Sequence, residues 1–148
     1  MTIVFLEGRI YLLATMVPES RTKLIAVVDD DELVRISLQR LLKAAGFAVT
    51  LFGSAEDLLK AGQFTEIACL IADIRMPGMS GLDLQAKLKA EGGSTPIVFI
   101  TAHGDEKMRL QAMRAGAVGF LAKPFDAAIL LDRIRAALEA FNGSNDLV

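Results

Sequence analysis

Five polar side chains lie at the ends of apolar runs, and their types suit the handling of phosphoryl groups. They are two adjacent carboxylates, a third carboxylate, a hydroxyl and an ammonium: Asp29 and Asp30, Asp73, Thr101, and Lys123. A carboxylate can be an oxygen ligand for a hard cation or a nucleophile that forms an acyl phosphate. Ammonium and hydroxyl groups can neutralise and hold the other phosphoryl oxygens. The residue types therefore predict phosphate chemistry, provided that the fold brings them together.

The segments that carry these side chains have the pattern of strands separated by helices. The apolar runs are too short for helices and suit strands buried on both faces; they span residues 24–28, 48–52, 67–73, 97–101 and 118–122. Apolar residues recur at helical spacing between them, as at Val34, Leu38, Leu41, Leu42 and Ala45. Five such units predict an α/β fold with a parallel sheet. All strand ends then meet at one edge, where open α/β sheets bind ligands.

Three carboxylates on one edge require a counter-charge. At about 4 Å and an effective dielectric of about 20, each pair of like charges costs roughly 4 kcal/mol. One lysine is too little compensation, and a divalent cation is the usual remedy. An all-oxygen ligand set without His or Cys favours Mg²⁺, with Mn²⁺ as the alternative, over zinc. Because Mg²⁺ commonly combines few carboxylates with a phosphate oxygen, the predicted metal also indicates a phosphoryl ligand.

Composition excludes several other classes of function. The 148 residues suit one globular domain, and the net charge of −2 gives no reason to expect nucleic-acid or membrane contacts. The single Cys69 cannot form an internal disulfide, and one Cys with one His cannot build a zinc cluster. This cysteine usage favours a cytoplasmic location.

Residues 1–22 and 142–148 flank the predicted domain. The first seventeen residues are apolar, but Glu7, Gly8 and Arg9 divide them, so they match neither a membrane span nor a secretory signal. Residues 18–22 are expected to form a linker. Two interpretations stay open for the leader: an accessory strand or helix packed on the domain, or an upstream start with the functional chain beginning near Met16. Residues 142–148 are expected to be a frayed tail.

The chain resembles the receiver domain of two-component response regulators over about residues 23–141. Four motifs carry the resemblance: Val-Val-Asp-Asp at 27–30, Asp-Ile-Arg-Met-Pro-Gly-Met-Ser-Gly at 73–81, Thr-Ala-His-Gly-Asp at 101–105, and Lys-Pro-Phe at 123–125. The second and third motifs resemble the subgroup found on nitrogen-fixation and nitrogen-regulatory transcription factors. The resemblance implies a flavodoxin-like (βα)5 doubly wound sheet with strand order 2-1-3-4-5.

The resemblance also implies a role for each site residue. Asp73 would accept a phosphoryl group from a sensor histidine kinase or a phosphotransfer protein. Asp30 would bind Mg²⁺ directly, Asp29 would act through a water, and Asp73 and the main-chain carbonyl of Arg75 would complete the protein ligands. Lys123 would contact the phosphoryl group. The chain would be no enzyme beyond phosphotransfer and autodephosphorylation on itself.

Other positions would convert phosphorylation into a change of shape. Thr101 would move toward the phosphoryl group, and Phe120 would turn inward behind it. Arg75 and His103 occupy positions that tune hydrolysis in the family, and a cis peptide is expected before Pro124. The face made by the fourth helix, the fifth strand and the fifth helix would then bind a partner or a second copy of the chain.

Four alternatives to a stand-alone receiver remain open. The sequence is compatible with a stand-alone receiver or with the receiver fragment of a DNA-binding regulator. A haloacid-dehalogenase-type phosphatase would need an acid where Arg75 stands. A flavin-binding protein would need a hydroxyl-rich phosphate loop in place of the acids at 29–31, which would repel a phosphate. An unphosphorylated pseudo-receiver would not be expected to keep the complete acidic set.

Overall fold

The computed structural model of the chain describes residues 3–12, 22–62 and 64–146. The strands are β1 Ile3–Leu6, β2 Arg9–Leu12, β3 Leu24–Val28, β4 Ala48–Phe52, β5 Ile67–Ala72, β6 Ile97–Thr101 and β7 Gly119–Ala122. The helices are α1 Glu32–Ala44, α2 Ala55–Ala61, α3 Gly81–Ala90, α4 Glu106–Arg114 and α5 Ala127–Asp146, and a 3-10 turn spans Phe64–Glu66. Within these ranges, no helix has the length and hydropathy needed to cross a membrane.

Strands β3 to β7 form one parallel sheet in the order β4-β3-β5-β6-β7. Counted from β3, this is the predicted order 2-1-3-4-5, which is confirmed. Val28 pairs with Ala72 of β5, so the residues that follow these two strands emerge side by side. Thr101 pairs with Ala122, which places Lys123 beside the end of β6. The register therefore brings the predicted functional residues to one edge.

Alternate residues of each strand face two separate hydrophobic clusters, one on either side of the sheet. On one side, residues such as Ala26, Leu70 and Phe99 pack with α2, α3 and α4. On the other side, residues such as Val27 and Ile71 pack with α1 and α5. Burial on both faces explains why the strands read as continuous apolar runs. Cys69 belongs to the second cluster, where burial raises the pKa of its thiol to about 12.

Side-chain caps fix where the helices begin. The side chains of Ser54, Ser80 and Asp126 accept hydrogen bonds from the first turns of α2, α3 and α5. Ser80 and Asp83 form a complete, reciprocal capping box at the start of α3. At the start of α2, the Ser54 hydroxyl accepts a hydrogen bond from the N–H of Asp57, which is one of the two hydrogen bonds of a capping box. The helix starts therefore follow short-range sequence chemistry.

The two ends of the chain differ in part from the sequence-based expectation. Strands β1 and β2 form an antiparallel hairpin, and its two-residue turn, Glu7 and Gly8, has φ of 52° and 73°. Positive φ values at both turn residues are typical of a type I′ turn, whose backbone twist matches the twist of the two flanking strands. Helix α5 continues to Asp146, so it includes residues 142–146 of the segment that was expected to be a frayed tail. The linker expected at 18–22 lies outside the described residues except for Thr22.

Candidate functional site

Three carboxylates converge at the carboxyl edge of the sheet, as the strand ends predicted. Asp29 and Asp73 follow β3 and β5 and are 2% and 7% exposed, whereas Asp30 is exposed to solvent. One oxygen from each of the three lies within 4.8 Å of the others. This separation allows a single cation to contact all of them. The oxygen-only donors, two of them buried, fit Mg²⁺ or Mn²⁺ better than a softer metal.

Lys123 bridges the two buried carboxylates. Its Nζ lies 2.8 Å from Asp29 Oδ2 and 2.9 Å from Asp73 Oδ2. Partial burial alone would lower the pKa of Lys123, but hydrogen bonds and charge from both carboxylates outweigh it, and the pKa is raised. Burial raises the pKa of Asp29. Hydrogen bonds from Lys123 and from the N–H of Asp31 lower it by less, so the pKa is raised overall. The lysine therefore stays charged, while ionised Asp29 lowers the stability of the folded state.

Backbone groups hold the second oxygen of each buried carboxylate. The N–H of Asp31 donates to Asp29 Oδ1 at 2.9 Å, and the N–H of Arg75 donates to Asp73 Oδ1 at 3.3 Å. Each oxygen retains further acceptor capacity, because a carboxylate can accept about four hydrogen bonds or metal contacts. The two side chains are thus fixed in orientation before any ligand arrives.

The hydroxyl and the aromatic ring expected to act in switching lie together on β6 and β7. Thr101 is 1% exposed, and its Oγ1 accepts a hydrogen bond from the N–H of His103 at 3.4 Å. Half-buried Phe120 packs against Phe99, with ring centroids 6.4 Å apart and planes tilted by 56°. A Cβ added to Gly104 would lie 2.6 to 2.8 Å from Thr101 Cγ2 and the Phe120 ring. Gly104 therefore lets the loop after β6 cover both side chains.

The remaining predicted positions surround the site without contacting its carboxylates through their side chains. Arg75 and His103 are exposed, and the hydrogen bonds named above use their backbone N–H groups. The Lys123–Pro124 peptide is cis, as the resemblance implies.

Two residues near the site were not predicted as functional. Arg35 of α1 donates from Nη1 to the main-chain oxygen of Asp29 at 2.7 Å. Glu56 of α2 accepts from the N–H of Met79 through Oε1 at 2.7 Å. Glu56 lies in the first turn of α2, and no local spacing signals its contact to a loop 23 positions away.

Gly81 closes the base of the loop that follows Asp73. Its N–H donates to the carbonyl of Ile74 at 2.8 Å, and a Cβ at this position would overlap the carbonyl oxygen of Asp73. Only glycine allows this approach of α3 to the end of β5.

Gly81→Ala is expected to lower the free energy of unfolding by about 2 to 3 kcal/mol, because the added methyl must displace backbone. Urea denaturation followed by circular dichroism measures the loss. Gly53→Ala is the matched control, since a Cβ there would make an ordinary contact of 3.5 Å with Arg35 Nη1. Equal stability of the two variants would contradict the close-approach argument.

The fold and its site together define a flavodoxin-like α/β domain with an acidic, lysine-bridged hollow at the carboxyl edge of its sheet. Residues 25–135 match the model of the response regulator receiver domain, and the chain belongs to that family.

Similar proteins support the same assignment. The chain is 46% identical over 122 residues to nodulation protein W of Bradyrhizobium diazoefficiens, which covers 82% of this chain and 54% of that protein. It is 45% identical over 112 residues to the transcriptional regulatory protein FixJ of Azorhizobium caulinodans, covering 76% and 53%. The chain thus spans about half the length of these curated relatives.

Solved structures agree with the fold. The response regulator StyR superposes with a TM-score of 0.77 at 46% identity, covering 84% of this chain and 63% of that chain. The crystal structure of FixJ-N gives a TM-score of 0.72 at 39% identity, covering 80% and 95%. The FixJ-N comparison covers nearly all of that chain, so the likeness extends over the whole receiver fold.

Proposed function

We propose that this receiver domain is switched by phosphorylation of Asp73, with a histidine kinase or phosphotransfer protein as the donor. The observation that carries the proposal is the Lys123 bridge between Asp29 and Asp73, beside a third carboxylate within 4.8 Å. This arrangement pairs an oxygen nucleophile with a cationic side chain able to contact a phosphoryl oxygen. The exposed position of Asp30 leaves the hollow open to a donor.

In the proposed transfer, an oxygen of Asp73 attacks phosphorus while the bond from phosphorus to the donor breaks. The electron pair of that bond leaves with the donor, and the product is an acyl phosphate on Asp73. Lys123 keeps its charge and moves its contact from the carboxylate to a phosphoryl oxygen. Asp29, Asp30, Asp73 and the Arg75 carbonyl would hold Mg²⁺, which supplies charge neutralisation to the phosphoryl oxygens.

The proposed switch uses groups already packed beside the site. Thr101 turns its hydroxyl toward the phosphoryl group, and Phe120 occupies the space behind it. Because the Phe120 ring also packs near Gly104, this movement would alter the loop that leads into α4. Phosphorylation then shifts a two-state population rather than building a new fold.

The α4–β7–α5 face is the proposed output surface. It carries exposed apolar side chains, among them Leu110 and Met113 on α4 and Ile129 on α5. Exposed apolar side chains suit contact with a protein partner, and a second copy of this chain is one candidate. Because the chain spans about half of relatives named as transcriptional regulators, we also propose action within or beside a DNA-binding regulator in the cytoplasm.

Incubation with acetyl phosphate and Mg²⁺, followed by intact-mass analysis, tests the acceptor. We expect the mass of one phosphoryl group to be added to the parent protein and none to Asp73→Asn. The Asp83→Asn variant is the control, because Asp83 is an exposed acid in the first turn of α3 and belongs to a helix cap. Addition of the same mass to Asp73→Asn, or none to the parent, would refute the proposal.

A further inference from the structure

Glu56 contacts the loop that follows Asp73 from the first turn of α2. Its Oε1 accepts the N–H of Met79 at 2.7 Å, although the two residues are 23 positions apart in sequence. Gly78 has φ of +78°, and a Cβ there would lie only 2.6 Å from the same carboxylate oxygen. The loop is therefore shaped to bring its backbone close to Glu56.

The loop is held at two points. At its base, the N–H of Gly81 donates to the carbonyl of Ile74. Near its tip, Glu56 accepts from Met79. The hydrogen bond from Met79 lowers the pKa of the Glu56 carboxyl, so the acceptor is ionised at neutral pH. A charged acceptor gives a stronger hydrogen bond than a neutral one.

Arg75 lies between these two anchors. Its N–H donates to Asp73, which fixes one side of the peptide, while its side chain is exposed. The carbonyl of the same residue belongs to the metal ligands of the proposed function. Mg²⁺ requires near-ideal octahedral geometry, so its affinity is lower when one ligand lies on a loop that is not held in a single conformation.

We propose that Glu56 is a positioning residue for the metal, fixing the loop at Met79 so that the carbonyl of Arg75 is oriented toward the acidic hollow. The inference rests on the proposed function, because it takes the metal to lie among Asp29, Asp30 and Asp73. Glu56 itself does not contact the cation in this arrangement.

Two variants separate the hydrogen bond from the charge. Glu56→Ala and Glu56→Gln both remove the negative charge, but glutamine keeps a side-chain oxygen that can accept from Met79. Asp57→Ala is the matched control, since Asp57 is an exposed acid in the same first turn of α2. All three are compared with the parent protein by calorimetric titration with MgCl₂ and by amide exchange at Met79.

We expect Glu56→Ala to weaken Mg²⁺ binding about 5-fold to 10-fold, the scale of one lost hydrogen bond of ordinary strength, because the Glu56 acceptor is only half-buried. Its Met79 amide should exchange faster than in the parent. Asp57→Ala should remain within about 2-fold of the parent affinity, whereas Glu56→Gln should weaken it only about 2-fold to 3-fold, because its neutral amide oxygen keeps a weaker hydrogen bond to Met79. Rescue by glutamine is an effect that a role of the charge alone would not produce.

Three results would overturn the inference. Equal weakening in Glu56→Ala and Glu56→Gln would assign the effect to charge. Parent-like Mg²⁺ affinity in Glu56→Ala, together with faster exchange at Met79, would show that the contact exists without serving the metal. Failure of Mg²⁺ to bind the parent would overturn the proposed metal site as well, so this outcome differs from failure of Glu56 alone.

Discussion

Replacing Lys123 with methionine is expected to slow phosphorylation of Asp73 by acetyl phosphate at least about 100-fold, the scale of removing one preorganised donor from a developing charge. The Nζ of Lys123 is within 3 Å of both buried carboxylates, and methionine keeps much of the apolar stem while it removes the charge. Time-resolved intact-mass analysis in saturating Mg²⁺ measures the rate.

The same substitution should destabilise the metal-free protein by roughly 2 kcal/mol, because breaking a buried ion pair leaves uncompensated charge. This figure lies below the range for fully buried pairs, since the Lys123 side chain is 17% exposed. Urea denaturation in the presence of a chelator measures this loss in the free energy of unfolding, and saturating Mg²⁺ should make the loss smaller. Unchanged stability and rate would contradict the bridging role.

Lys87→Met serves as the control for removing a lysine. Lys87 pairs with Glu91 at 3.3 Å, but both side chains are about half exposed, at 48% and 51%. An exposed pair four residues apart on a helix contributes about 0.3 to 0.5 kcal/mol. We therefore expect little change in stability and none in phosphorylation. A loss equal to that of Lys123→Met would point to a general effect of net charge.

Strand ends explain why so much of the site was predictable. Each buried strand reads as a continuous apolar run, so the first polar residue after it marks the edge of the sheet. Asp29, Asp73 and Lys123 were located in this way, and the β3–β5 and β6–β7 registers bring those ends together. This prediction needed only the pattern of apolar runs and the rule that the carboxyl ends of parallel strands lie at the same edge of the sheet.

Contacts between loops explain what was not predictable. Glu56 has the local setting of a first-turn helix acid, and only tertiary structure shows its carboxylate bonded to Met79. Arg35 likewise has no local signal for its hydrogen bond to the carbonyl of Asp29. Such contacts depend on how two separate turns approach each other, which periodicity does not encode. Residues 142–146 were expected to belong to a frayed chain end, since all of them are polar or glycine, yet α5 extends to Asp146.

Asp29→Asn is expected to stabilise the metal-free protein at pH 7 by about 1 kcal/mol, because a neutral amide replaces a buried charge. Burial raises the pKa of Asp29 above 3.8, and the nearby charge of Asp73 adds to the rise. Folding therefore favours the protonated form. That contribution is complete below about pH 3.8 and is lost as the pH rises through the folded-state pKa.

The stability advantage of Asp29→Asn should consequently shrink as the pH falls from 7, and it should be smallest below about pH 3.8, where the parent carboxyl is mostly neutral in both states. Chemical denaturation across this range, with chelator present, measures the difference. Asp30→Asn is the control: its carboxylate is exposed, so we expect weaker Mg²⁺ binding with little gain in stability. If Asp29→Asn were less stable than the parent at pH 7, the Lys123 pair would outweigh burial, and the buried carboxylate would need no cation to offset its cost.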